Sequence, residues 1–206
     1  MRTMGASRDR MILEGLERWK YLRADQIASL YFPTVKQEYK SKKTSERMRV
    51  MFKKGWVQRM RFPNEPYIYT LDKPHYSHKL NHYLMLVDVW ITIRDMAPGQ
   101  SKLTCEPEKH FESVITDLYI EYRNDFRKES AQYFVEVELD SSNTIKDKVM
   151  RYAVTLYNRQ SEGYRNDRLV ILHKKKISPQ EVTGLDRLKF DVQFIPLGEL
   201  TAKWIW

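Results

Sequence analysis

The chain has 206 residues, of which 42% are hydrophobic and 31% are charged. This composition is sufficient for a buried core and excludes a disordered or fibrous protein. The single cysteine, Cys105, excludes an internal disulfide and a cysteine-based zinc cluster, and it predicts a protein of the reducing cytoplasm. No signal peptide is predicted, because the charged N-terminal residues lack an apolar stretch. No membrane span is predicted, because the most apolar window, residues 84–93, is short and contains Asp88.

The positive charge is concentrated in the first third of the chain. Residues 1–75 carry 17 Lys and Arg against 8 Asp and Glu, whereas residues 76–206 carry 19 of each. The whole formal excess of +9 therefore lies in the first 75 residues. Such a split is typical of an N-terminal module that binds a polyanion such as nucleic acid, and less typical of an evenly solubilised surface.

The N-terminal module contains signals for helices followed by a hairpin. The predicted elements are helices over 10–22, 24–32 and 43–54, and strands over 56–62 and 67–71. The helices are predicted from apolar residues at helical spacing, and Pro33 ends the second of them. The turn 63–66, which contains two prolines and an asparagine, joins the strands. Three short helices closed by a β-hairpin predict a winged helix-turn-helix domain.

The third helix of such a domain enters the major groove of DNA, and the wing contacts the flanking backbone. We therefore expect DNA contacts from cationic and hydroxyl side chains on these two elements. The predicted contacts are Lys42, Lys43, Ser45, Arg47, Arg49, Lys53, Arg59 and Arg61. Two alternatives stay open at this point: the cations solvate an amphipathic helix, or the module binds RNA or protein.

A helix is predicted over 77–95, where an apolar stripe runs through Leu80, Leu84, Val87 and Ile91. A helix in this position connects a small DNA-binding unit to the next domain or to a second subunit. The stripe is longer than a small domain needs, and we therefore expect a homodimer.

Two further features of this region bear on metal binding and on domain organisation. His78 and His82 are four residues apart, but no third ligand is nearby, so they are interpreted as ordinary helix residues. The dipeptide 98–99, Pro-Gly, marks a domain boundary. The predicted division is 1–75, 76–96 as connector, and 97–206.

The second domain is predicted to be a mixed α/β domain. The predicted elements are strands over 114–120, 133–139, 168–173 and 190–195, and helices over 144–158 and 178–188. The order strand, strand, helix, strand, helix, strand is that of a mixed α/β domain.

Three acidic residues on the first two of these strands resemble the site of a divalent-metal nuclease. Asp117 lies on the first strand, and Glu136 and Glu138 lie on the second. Their spacing is similar to that of the PD-(D/E)xK nucleases, in which carboxylates bind Mg²⁺ and a lysine polarises the attacking water. Glu138 occupies the position where lysine is expected, and Lys148 on the following helix is the candidate replacement. The alternative is that the two glutamates only pair with surface cations.

The whole chain resembles the replication-relaxation family of bacterial plasmids, phages and conjugative elements. The residues that carry the resemblance are 21–22, 26–27, 30–32, Arg47, 55–57, 80–82, 115–117, 134–138, Lys148 and Tyr152. Two departures are Thr116, where proline is usual, and residues 139–142, which replace an expected Arg-Gly-Thr. The resemblance implies a winged helix fused to a restriction-endonuclease-like domain, and a role in replication or its control.

These observations predict a double-stranded DNA-binding protein that acts in replication control or transcriptional regulation of a mobile element. The alternative is a Mg²⁺-dependent DNA nuclease that uses Asp117, Glu136, Glu138 and Lys148, with Asp117 and Glu136 as metal ligands. A third possibility is that the second domain docks replication proteins. Because Glu138 adds negative charge where a cation is needed, we expect no DNA cleavage at a useful rate and no resident cofactor.

Overall fold

The structure is a computed structural model, which describes residues 4–74, 79–112, 114–138, 143–161, 166–174 and 191–200. The chain divides into two compact units, Met1–Ile91 and Thr92–Trp206. The two units are described in turn.

The N-terminal unit combines helices with a small antiparallel sheet. Its helices are α1 (Met4–Trp19), α2 (Ala24–Tyr31), α3 (Gln37–Lys53) and the first part of α4 (Leu80–Met96). Its strands are β1 (Leu22–Arg23), β2 (Gln58–Met60) and β3 (Ile68–Thr70). The strand order is β1-β3-β2, and Tyr69 of β3 is the register partner of both Leu22 and Arg59.

The helix boundaries in this unit differ from those predicted. Helix α1 ends at Trp19 rather than at residue 22, because Lys20 has a φ of 64° and the chain then pairs with β3. Met11 is 48% exposed although it is an apolar residue of this helix, whereas Ile12 and Leu16 are buried. Helix α3 begins at Gln37 rather than near residue 43, so the polar stretch before it is helical. It ends before Gly55, whose φ of 71° is the left-handed conformation that favours glycine.

Helix α4 is integrated into this unit by apolar packing and by polar contacts. Leu80 and Leu84 pack in a buried cluster with Tyr21, Met60 and Ile68. The Arg23 guanidinium also pairs with Asp88 at 2.9 Å. The stripe that motivates the homodimer prediction is therefore largely buried within a single chain, and the homodimer itself stays a prediction. His78 lies outside the described residues.

The C-terminal unit is built on a five-stranded mixed sheet. Its strands are β4 (Ser101–Phe111), β5 (Val114–Asn124), β6 (Glu129–Glu138), β7 (Asp167–His173) and β8 (Asp191–Pro196). They are hydrogen-bonded in that order; β4, β5 and β6 are antiparallel, and β6, β7 and β8 are parallel. Helix α5 (Asn143–Ser161) connects the parallel pair β6 and β7, and a short 3₁₀ helix (Leu197–Glu199) follows β8.

One strand of this sheet was not predicted. Strand β4 is a half-exposed edge strand whose sequence contains Pro107 and several charged residues, and it is a strand because β5 provides its hydrogen-bonding partners. The helix predicted over 178–188 lies outside the described residues.

Helix α5 covers one face of the sheet. Its buried residues Ile145, Val149, Tyr152 and Leu156 follow the helical repeat i, i+4, i+7, i+11, and they pack with Phe134 of β6 in one core cluster. Because alternate residues of a strand share a face, Glu136 and Glu138 lie on the same side of β6 as Phe134. The N-terminal part of α5 therefore lies close to the C-terminal end of β6, at the edge of this core cluster.

The described part of the chain thus contains five α-helices and two sheets, a mixed α and β protein as predicted. None of its described helices has the length and apolar character required to span a membrane.

Candidate functional site

Helix α3 has one buried face and one charged face. Thr44, Met48 and Met51, at i, i+4 and i+7, are buried. The opposite face carries Lys42, Arg49 and Lys53, at i, i+7 and i+11, and all three are exposed. We call these three residues the basic row. Lys43 and Ser45 beside it are also exposed, so five of the six predicted contact residues of this helix are accessible to a ligand.

Arg47 occupies a different position from the outward one that was predicted. Its guanidinium forms a two-pronged hydrogen-bonded ion pair with Asp9 of α1, whose side chain is buried. Asp9 thus holds Arg47 against α1, and the pair ties α3 to α1. Sequence periodicity could not show this pairing, because it depends on how two helices cross.

The two arginines of the β2 region are stacked on aromatic rings. The Arg59 guanidinium lies 4.1 Å from the ring centre of Phe52 and 4.5 Å from that of Tyr67. Arg61 is exposed, lies 5.2 Å from the Tyr67 ring centre, and donates to the backbone carbonyl of Glu65 at 3.0 Å. Such stacking holds the cations in defined positions along the hairpin.

In the C-terminal unit, Asp117 and Glu136 meet where two strands separate. The pairing of β5 with β6 ends at Leu118 and Val135, one residue before the two acids. There the acidic side chains bond the backbone instead: the Asp117 amide donates to Glu136 Oε1 at 3.1 Å, and the Val137 amide donates to Asp117 Oδ2 at 2.8 Å. These crossed contacts fix both carboxyl groups at the end of the ladder.

Lys148 reaches this point from α5. Its Nζ lies 2.8 Å from Glu136 Oε2 and 3.1 Å from Glu138 Oε2. Lys148 precedes the buried Val149, so packing of α5 on the sheet directs its side chain toward the ends of β5 and β6. Asp117, Glu136, Glu138 and Lys148, which we call the acid–lysine cluster, are therefore brought together; the sequence named all four residues but did not specify the direction of Lys148.

Tyr152 is a further member of this site that sequence analysis did not assign to it. Its hydroxyl donates a hydrogen bond to Glu136 Oε1. It lies four residues after Lys148, on the same face of α5, and this i, i+4 spacing is the sequence signal that could have identified it. Burial, and then the Glu136 carboxylate, raise the pKa of Tyr152, so it stays protonated and acts as a donor.

Burial dominates the electrostatics of the cluster. It raises the pKa of Glu136, and the neighbouring Asp117 raises it further, whereas Lys148 and Tyr152 favour the ionised form. Burial alone would lower the pKa of Lys148, but Glu136, Asp117 and Glu138 raise it above its usual value. Lys148 is therefore cationic at neutral pH, and its charge compensates carboxylates that have little access to water.

Two carboxylates of the cluster are of the residue type that binds Mg²⁺. Mg²⁺ is commonly bound through one or two carboxylates, with water completing its shell. Asp117 and Glu136 are the candidate ligands; Glu136 Oε1 accepts two hydrogen bonds and Oε2 is paired with Lys148 Nζ at 2.8 Å, so a metal ion would have to displace one of these contacts. Among the described residues, no group of three or more histidine, cysteine or acidic side chains is placed to hold a metal ion.

Comparison of the chain with protein-family models, with curated proteins and with solved structures finds no match.

Proposed function

We propose that this protein binds double-stranded DNA through its N-terminal unit and acts in replication control or transcriptional regulation of a plasmid, phage or conjugative element. The observation that carries the proposal is the basic row, Lys42, Arg49 and Lys53, on the exposed face of α3. It lies in the part of the chain that holds the entire formal excess of positive charge. A polyanionic partner matches this distribution.

The dimensions of α3 suit the DNA major groove. Its 17 residues make a helix about 25 Å long. The major groove, about 12 Å wide, admits one α-helix, with side chains on the facing side reaching phosphates and base edges. The order of three helices and a hairpin is that of a winged helix-turn-helix, and it is also the order implied by the resemblance to the replication-relaxation family.

The side chains of the N-terminal unit have different roles in this proposal. Arg49 and Lys53 contact DNA from the C-terminal half of α3, and Lys42, Lys43 and Ser45 contact it from the part of the helix before them. Arg59 and Arg61 contact the flanking backbone from the hairpin. Arg47 holds α3 against α1 through Asp9, which makes it a positioning residue rather than a primary contact.

Substitution of two cations on α3 tests the proposal. Fluorescence anisotropy would measure the affinity of the full-length protein for a labelled 24-bp duplex. We expect Arg49→Ala/Lys53→Ala to weaken binding by at least about tenfold, which is about 1.4 kcal/mol. The matched control is Lys146→Ala/Arg151→Ala, which also removes one lysine and one arginine from exposed positions of a helix. Equal losses in the two variants would refute the assignment of the interface to α3.

The alternative function, a Mg²⁺-dependent DNA nuclease, is supported by one specific contact. Lys148 Nζ lies 2.8 Å from Glu136 Oε2, so a cation is present beside the candidate metal ligands although the expected strand position holds Glu138. When bound, Mg²⁺ would neutralise phosphate charge and lower the pKa of its water. Asp117 and Glu136 would hold the ion, and Lys148 would stand beside the attacking water. DNA cleavage that requires Mg²⁺ and is lost in Asp117→Ala would favour this alternative.

A further inference from the structure

A large apolar side chain is held out into solvent at the turn between β5 and β6. This turn, residues 125–128, has the sequence Asp-Phe-Arg-Lys, and we call it the hairpin tip. Phe126 is 83% exposed, the highest value among the exposed large hydrophobic side chains described. A single exposed apolar side chain is common on protein surfaces, so the exposure of Phe126 bears on function only together with the bracing of the turn and the charges beside it.

The hairpin tip is braced from several sides. The Asn124 side chain is buried; its Oδ1 accepts a hydrogen bond from the Arg127 amide at 3.0 Å, and its Nδ2 lies 3.4 Å from Ser101 Oγ of β4. Asp125 pairs with Lys102 of β4 at 2.7 Å and with Arg123. These contacts join the turn to two strands, so Phe126 projects from a fixed base.

The charges around Phe126 favour an anionic partner. Residues 123–129 contain three cations, Arg123, Arg127 and Lys128, against two acids, Asp125 and Glu129. Arg127 and Lys128 are exposed, and neither forms an ion pair within the described part of the chain. A partner that accepts one ring between flat apolar surfaces, with negative charge on either side, fits this arrangement. Stacked base pairs between two phosphate backbones have that form.

We propose that Phe126 is a wedge that inserts between two base pairs of duplex DNA, while Arg127 and Lys128 contact the adjacent phosphates. The inference rests on the proposed DNA-binding function and assigns a second contact with the DNA to the C-terminal unit. Apolar wedges of this kind unstack one base step and kink the duplex by about 20–90°. The protein would then distort its DNA as well as bind it, in keeping with a role in replication control.

Two spectroscopic readouts on the full-length protein test the wedge. A set of 24-bp duplexes, each with 2-aminopurine at a different position, reports local unstacking as increased fluorescence. The same duplex with a donor and an acceptor dye at its ends reports bending as increased energy transfer. The variants are Phe126→Ala, which removes the ring, and Phe126→Leu, which keeps an apolar wedge. Tyr157→Ala is the matched control, because it removes another exposed aromatic residue of the same unit.

The wedge predicts that the wild type and Tyr157→Ala unstack and bend the duplex. Phe126→Ala is expected to lose both signals with less than about a tenfold loss of affinity, and Phe126→Leu is expected to retain part of them. If the wild type binds DNA without distortion, or Phe126→Ala distorts it equally, the wedge is wrong and the DNA-binding function stands. If the wild type binds no duplex DNA, the proposed function fails and the wedge fails with it. Phe126-dependent binding to phosphatidylserine vesicles, without an effect on DNA, would assign the tip to a membrane surface and overturn the wedge.

Discussion

Lys148→Met measures how much the cation of the acid–lysine cluster contributes to the free energy of unfolding. The Glu136 side chain is 3% exposed and that of Lys148 22% exposed, so the 2.8 Å contact between them is largely shielded from water. Methionine keeps most of the length of the side chain and removes its charge. The variant therefore leaves the Glu136 carboxylate buried beside Asp117 without the ammonium that compensates it.

The expected loss depends on pH in a defined direction. Breaking a buried ion pair by removing one partner costs about 3–5 kcal/mol, and the partial exposure of Lys148 places the expected loss near about 3 kcal/mol at pH 8. Burial and Asp117 already raise the pKa of Glu136 in the folded state, and loss of Lys148 raises it further. A carboxyl group with a raised folded-state pKa stabilises the fold below its unfolded-state pKa and loses that contribution as pH rises. The deficit of Lys148→Met should therefore be small near pH 4.5 and grow toward pH 8.

Urea unfolding followed by circular dichroism at pH 4.5, 6 and 8 would measure this deficit. Lys146→Met, an exposed lysine on the same helix, is the control and should change the unfolding free energy by less than about 0.5 kcal/mol. Glu136→Gln/Lys148→Met removes both charges and should recover most of the loss at pH 8. A deficit that is equal at the three pH values, or a double variant no more stable than Lys148→Met, would refute this account of the cluster.

Two further predictions concern the helix pair and the chemistry of the cluster. Asp9→Ala should leave the half-buried Arg47 without its partner and lower the unfolding free energy by about 1–3 kcal/mol. It should also weaken DNA binding, because α3 is displaced. Calorimetry would measure the first effect and fluorescence anisotropy the second, and unchanged values would show that the ion pair has no structural role. Incubation with duplex, nicked or branched DNA and Mg²⁺ or Mn²⁺ should give no cleavage above background, because Glu138 places a negative charge where a cation is needed and itself pairs with Lys148 at 3.1 Å. Metal-dependent products lost in Asp117→Ala and Lys148→Ala would overturn this.

The elements with strong local signals were predictable from the sequence. An apolar repeat at helical spacing identified α4, and runs of apolar, β-branched and aromatic residues identified β5 and β6. Strand β4 was missed because an edge strand needs no apolar repeat, and its charged, proline-containing sequence is stabilised by pairing with β5. The start of α3 was missed because residues 37–42 are mostly polar and lack the apolar spacing that marks a helix.

The sequence predicted which residues belong to the candidate site better than it predicted which side chains contact one another. Asp117 of β5 could be placed near Glu136 and Glu138 of β6, because residues that lie opposite each other on neighbouring strands are close in space. The direction of Lys148 and the pairing of Arg47 with Asp9 depend on how a helix packs on a sheet or on another helix. Side-chain periodicity specifies which face a residue occupies but not what lies opposite. Tyr152 was overlooked because its apolar ring fits the core pattern of α5, which concealed the role of its hydroxyl.

The salt dependence of DNA binding by the full-length protein tests the central claim most directly. If the N-terminal unit makes about four to six phosphate contacts, a plot of the logarithm of affinity against the logarithm of salt concentration should have a slope of about −4 to −5. Arg49→Ala/Lys53→Ala should make this slope shallower by about 2, whereas Lys146→Ala/Arg151→Ala should leave it unchanged. Binding that does not depend on salt, or a slope that the α3 substitutions leave unaltered, would contradict the account.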